Sequence, residues 1–127
     1  MAFAWIAVQG TKIIAEGGGR IPTSENPDFG STTAEAIGML AAYKATQDMP
    51  NRKFLCDSES LCDLTRTRKV SANQTLAKLI QCIPITAEFN NTSEHIKHVD
   101  RMSKRPNLYP SVRLAQLLEF GVIQEIQ

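Results

Sequence analysis

An apolar-faced helix followed at once by a short strand, each carrying one acidic residue near its end, constrains this chain most. The run Ser31-Thr-Thr-Ala-Glu-Ala-Ile-Gly-Met-Leu-Ala-Ala-Tyr-Lys-Ala45 places Ala34, Ile37, Leu40, Ala41 and Ala45 at the spacing of one helical face. Ser31, Thr32 or Thr33 supplies its N-cap, and Pro50 breaks it. Glu35 is expected in the first turn. Residues 53–56, Lys-Phe-Leu-Cys, read as a short strand, and Asp57 sits where it stops. Carboxylates delivered from the ends of neighbouring elements are what a Mg²⁺ site for phosphodiester chemistry needs. The plainer reading makes Glu35 a complement to the helix dipole and Asp57 a cap for the next helix.

The flanking sequence fills in a mixed order of elements. Residues 3–8 are β-rich, with Trp5 and Ile6 as bulky members, and Gln9-Gly10-Thr11 is a turn signal. The strand resumes at residues 12–15. Gly17-Gly18-Gly19 lacks the helix start and the Lys-Ser/Thr of a phosphate loop, so it reads as strand with a bulge or a close backbone approach. Residues 21–30, with two prolines, are a loop. Ser58 caps a helix through about Arg66, with Leu61 and Leu64 on its apolar side. A further helix fits residues 72–82, and Pro84 ends it. Residues 94–99 fit a final strand, residues 102–110 a basic loop, and residues 111–120 a last helix. Strands, helix, strand, helices, strand, helix is an α/β order.

Bulk properties exclude more than they assign. A chain of 127 residues suits one domain with a single core. Net charge is +1, so no global field draws in nucleic acid, and any such surface must be local. Cys56, Cys62 and Cys82 lack metal-type spacing and read as reduced, which suits an intracellular protein, cytoplasmic or nuclear. No apolar run approaches the ~20 residues of a membrane span. The apolar start lacks a basic leader, so no signal peptide is expected.

Several segments resemble the ribonuclease H domain attached to reverse transcriptases of retroelements. The family's S-x-x-A-E-A-x-G-x-L-A-A-L helix is matched by residues 31–43, and its T-D-S-x-S-L strand end by Cys56-Asp-Ser-Glu-Ser-Leu61. Ala4-Trp-Ile-Ala-Val8 and Ile13-Ile-Ala-Glu-Gly-Gly-Gly-Arg20 resemble its second and third strands. Ala72-Asn-Gln-Thr-Leu-Ala77 resembles a stretch opening a later helix. His95-Ile-Lys-His-Val-Asp100 resembles an H-x-K-G-H-x-D strand and loop without its Gly. The similarity is strongest from Trp5 to Leu61.

That resemblance implies a ribonuclease H-like mixed sheet flanked by helices, hydrolysing the RNA strand of RNA–DNA hybrids. In the family, carboxylates hold two Mg²⁺ or Mn²⁺ ions roughly 3.5–4 Å apart. Glu35 and Asp57 match two of the metal carboxylates, and His98 matches a loop histidine that helps product leave. Ser58 would orient Asp57. Lys97, Arg101, Lys104 and Arg105, with Ser58, would contact nucleic acid. The departures are equally specific. The family's Asp-bearing first strand, central in its sheet, has no counterpart upstream of Ala4. The last acidic position falls on Val122, leaving Glu119 as a possible substitute three residues early. An impaired enzyme is therefore expected, associated with the rest of a reverse transcriptase or with a partner that donates a strand. The competing expectation is an inactive connecting or assembly domain, in which Arg66, Arg68, Lys69 and the basic residues of 97–105 touch phosphates without chemistry.

Overall fold

A computed structural model describes residues 2–20, 31–69 and 74–104. Its elements run β1 (Ala2–Gln9), β2 (Lys12–Arg20), α1 (Ser31–Ala45), β3 (Leu55–Cys56), α2 (Glu59–Thr67), α3 (Gln74–Cys82), β4 (Glu88–Phe89) and α4 (Glu94–Ser103). The class is mixed α/β. The strands of the described residues form two separate pairs rather than one sheet: β1 with β2 antiparallel, and β3 with β4 parallel. No helix among the described residues is long and apolar enough to cross a membrane.

The hairpin turns where expected, and Gly10 takes φ +65°, a conformation that favours glycine. Trp5 lies opposite Gly17, where an added Cβ would stand 2.7 Å from the indole. The glycine run thus includes a close approach. The bulge lies elsewhere: the register shifts between Ala7 and Val8, leaving Ile14 as the extra residue opposite them.

Helix α1 differs from the single-faced helix expected. Ala36, Ile37, Gly38, Met39 and Leu40 are buried in succession, while Ala45 is exposed. The reason is that α1 packs against β1 on one side and against α2 and α3 on others. Gly38 seats it on the strand, since a Cβ there would lie 3.3 Å from the Ala4 carbonyl oxygen. The core joins Phe3, Ile37 and Leu40 to Leu61, Leu79, Ile80 and Ile83. Residues 31–33 are already helical, so Thr32 and Thr33 are not the cap, and Glu35 lies in the second turn.

The stretch expected as a final strand, residues 94–99, is helical in α4. Ser93 caps it by accepting from the His95 N–H at 3.2 Å. Ile96, Val99 and Met102, spaced three apart, are half-buried, whereas Lys97, Asp100 and Arg101 are exposed, which is helical rather than alternating periodicity. The β strand of this region, β4, comes earlier. Residues 102–103 belong to α4 rather than to a loop. The expected loop beyond residue 104, the last helix over residues 111–120 and the stretch 70–73 lie outside the described residues.

Polar side chains tie the elements together. Ser58 Oγ accepts from the Leu61 N–H at 3.2 Å and caps α2, as expected. Thr65 Oγ1 donates to the Cys62 carbonyl at 2.7 Å and accepts from the Ala87 N–H at 3.0 Å, holding the approach to β4 against α2. Arg68, left-handed at φ 62°, donates to the carbonyl oxygens of Ile80, Ile83 and Ile85, the end of α3 and the segment beyond. Arg52 donates to the Tyr43 carbonyl at 2.9 Å and stacks over Tyr43 and Phe54, with ring centroids 4.9 and 5.4 Å away, pinning the end of α1 beside β3.

The Arg68 fork gives the fold a test. Arg68→Lys keeps the charge but cannot span three carbonyls, so it should cost about 1–2 kcal/mol of stability. Urea unfolding of the two proteins measures this, and an unchanged midpoint would contradict the bridging role.

Candidate metal centre

Elements distant in sequence bring Glu35, Cys56 and Asp57 together. Glu35 projects from α1, Cys56 ends β3, and Asp57 follows before the cap of α2. One ligand atom from each lies within 4.8 Å of the others. The cluster is graded in burial, with Asp57 exposed, Glu35 half-buried and Cys56 buried. Cys56 Sγ donates to Glu35 Oε2 at 3.9 Å and accepts from the Ser58 N–H at 3.4 Å. Cys62 Sγ donates to the Cys56 carbonyl at 3.9 Å. The backbone turn from β3 into α2 therefore fixes the thiol between a carboxylate and an amide.

The electrostatics follow from that packing. Burial raises the Glu35 carboxyl above its ordinary value, and the Asp57 charge beside it raises it further. Hydrogen bonds from Ser58 and Cys56 oppose the shift, and Asp100 of α4 adds a smaller upward push. Burial also drives the Cys56 thiol up to about 12, with the neighbouring acids adding to the effect. Cys62 is raised as well, chiefly by burial. The cluster thus sets two carboxyl groups beside a thiol that burial holds in its protonated form.

Of the residues singled out from the sequence, Glu35 and Asp57 meet. Ser58 hydrogen-bonds with the Glu35 side chain and caps α2. His98 faces the hairpin, with Nε2 3.8 Å from Glu16 Oε2. It sits on a helix rather than on the strand and loop expected for it. Residues two apart on a helix point roughly 200° apart, so His98 and Asp100 address different neighbours. Lys97, Arg101 and Lys104 form one exposed stripe at spacings of four and three. Within it Lys97 pairs with Glu94 at 3.4 Å and Lys104 with Asp100 at 3.0 Å. Arg66 pairs with Asp63 at 3.3 Å, while Arg68 is committed to backbone carbonyls and Lys69 is exposed. Arg105 and Glu119 lie outside the described residues.

Cys56 and Asp100 were not singled out as site residues. Cys56 lacks metal-type spacing with the other cysteines, and nothing in that spacing announces Glu35 as its partner. Asp100 was hidden by the strand reading of residues 94–99, since only a helix sets it beside Lys104 one turn on. The chain matches no protein-family model, and neither the curated proteins nor the solved structures contain a match.

The raised Glu35 carboxyl has a stability consequence. A group whose pKa is raised by folding favours the fold when protonated and costs stability as pH rises through that value. Glu35→Gln should therefore melt at a higher temperature than the native chain at neutral pH. The difference should close below 4.5, the ordinary value of the carboxyl, where native Glu35 is protonated. Thermal melts across this range test the sign, and a native chain as stable as the variant at neutral pH would contradict it.

Proposed function

We propose that this chain is a ribonuclease H-like domain of reverse-transcriptase type, and that Glu35 and Asp57 hold a divalent cation for cleavage of RNA in RNA–DNA hybrids. The observation that carries the reading is the meeting of these two carboxylates, named from separate motifs 22 residues apart, within 4.8 Å at one end of β3. Their oxygens suit Mg²⁺ or Mn²⁺, which take one or two carboxylates and keep several waters. When bound, such an ion supplies an activated water and stabilises the leaving 3′ oxygen.

The chain's own residues would do the rest. Glu35, held by Ser58 and Cys56, is the fixed arm of the pair, and exposed Asp57 is the arm open to substrate. The Lys97–Arg101–Lys104 stripe offers cations to a phosphate backbone, on the helix that also carries Asp100. His98 keeps its proposed part in product release, from its place against the hairpin. Among the described residues only Glu35 and Asp57 bring carboxylates to the cluster, and a pair alone would stabilise the transition state less than the fuller acidic set of the family.

The two strand pairs also support this descent. The resemblance puts a further strand at the centre of the family's sheet, and β1–β2 and β3–β4 are two pairs that such a strand, from either side of this sequence or from a partner, would join. The same observation favours a second reading, a binding or assembly domain completed by a strand from a reverse transcriptase or another partner.

Cleavage of end-labelled RNA annealed to DNA separates the readings. The native chain should cut slowly with Mg²⁺ or Mn²⁺, and Asp57→Asn should abolish the cutting while remaining folded. Hybrid binding that weakens steeply with salt, without cleavage, would replace the enzyme by the binding domain. Full cleavage by a folded Asp57→Asn would remove the site assignment.

A further inference from the structure

In the chemistry proposed above the thiol only steadies Glu35 and does not touch the cation. Mg²⁺ takes oxygen ligands, and a buried protonated thiol offers it nothing. Yet Cys56 Sγ lies 3.9 Å from Glu35 Oε2, and one ligand atom each of Glu35, Cys56 and Asp57 lies within 4.8 Å of the others. Sulfur and oxygen ligands around one zinc ion, at about 2.3 and 2.0–2.2 Å from it, stand at most about 4.5 Å apart. In the tetrahedral arrangement zinc prefers, such ligands stand about 3.6 Å apart, so closing the cluster by up to about an ångström brings all three into one coordination sphere. The cluster opens from Asp57 at the surface to Cys56 beneath, so an ion enters through the carboxylates and meets the sulfur last.

We infer that Glu35, Cys56 and Asp57 form a site for a thiophilic divalent cation, zinc or cadmium, which displaces the hard cation and silences the site. The preference comes from ligand softness: thiolate selects zinc and cadmium, whereas an all-oxygen pair leaves the advantage to Mg²⁺ or Mn²⁺. Binding replaces the Cys56 S–H bond with a sulfur–metal bond, and the proton passes to water or buffer with no change of oxidation state. Three protein ligands leave a position for water, the arrangement of an open rather than a closed zinc site. Competition with the hard cation rests on the nuclease reading. Binding of the soft cation does not.

Cadmium alone is the direct probe, because its bond to thiolate gives an ultraviolet charge-transfer band that oxygen ligands do not. The native chain should show the band saturating with one ion per chain. A Cys62→Ala, Cys82→Ala chain that keeps only Cys56 should retain it. Cys56→Ser, checked for folding by circular dichroism, should lose it, and Zn²⁺ affinity by calorimetry should fall at least tenfold. Glu35→Gln, with every thiol intact, should also weaken Zn²⁺ at least tenfold. No band in the native chain, or a band unchanged in folded Cys56→Ser, would overturn the site. The nuclease reading is read separately in hybrid cleavage without zinc: its failure leaves the cadmium result standing. Where cleavage is present, Zn²⁺ should inhibit the native chain at least tenfold more strongly than Cys56→Ser, and equal inhibition would overturn the proposed competition.

Discussion

Helix α1 is held on several sides at once, and the position of Glu35 depends on that burial. Ile37 and Leu40 are fully buried, and each such side chain contributes roughly 1.5–3 kcal/mol when removed from water. Gly38 lets the helix lie on the β1 backbone at Ala4, where any side chain would hold it off. Glu35 stands two residues before Ile37 on this fixed rod. Burial of its carboxyl and repulsion from Asp57 oppose folding, and the apolar contacts of the same helix offset them. An anchor this firm sustains an acidic cluster that a loosely held helix would release.

The junction of β3 and α2 supplies the other half of the site. It packs several duties into three consecutive residues. Cys56 ends the strand and bonds through its carbonyl to the Asn90 N–H at 2.9 Å, so β4 fixes its place. Asp57 is left exposed in the step between elements, and Ser58 begins the helix as its cap while hydrogen-bonding with the Glu35 side chain. Arg52 clamps the other end of α1 beside Phe54, so helix and strand are fastened at both ends of their contact. Secondary structure itself, rather than a dedicated binding loop, sets the distance between Glu35 and Asp57.

Much of this was legible in the sequence where local signals and long-range packing agree. The hairpin, the bounds of α1, the Ser58 cap and the meeting of Glu35 with Asp57 follow from turn residues, periodicity and motif order. The errors share a cause. Periodicity gives α1 one face because it weighs a helix as though it had one neighbour, and this helix has several. Residues 94–99 carry a strand signal in β-branched Ile96 and Val99, while the helix rests on the Ser93 cap and on apolar spacing that continues to Met102. That signal also conceals Asp100. Arg68 resembled a phosphate-binding residue because its charge is visible in sequence, while the three carbonyls that occupy it come from residues 12 to 17 positions away. The division of the strands into two pairs rests on contacts that no local window of sequence contains.

The proposed function stands or falls with one cation site built by α1 and the end of β3 from Glu35 and Asp57. Anomalous diffraction from crystals of the chain soaked in Mn²⁺ tests it most directly. A peak within bonding distance of both carboxylates is expected, absent from crystals of Asp57→Asn. An ordered Glu35–Asp57 cluster with no manganese at it, or manganese bound only elsewhere, would contradict it.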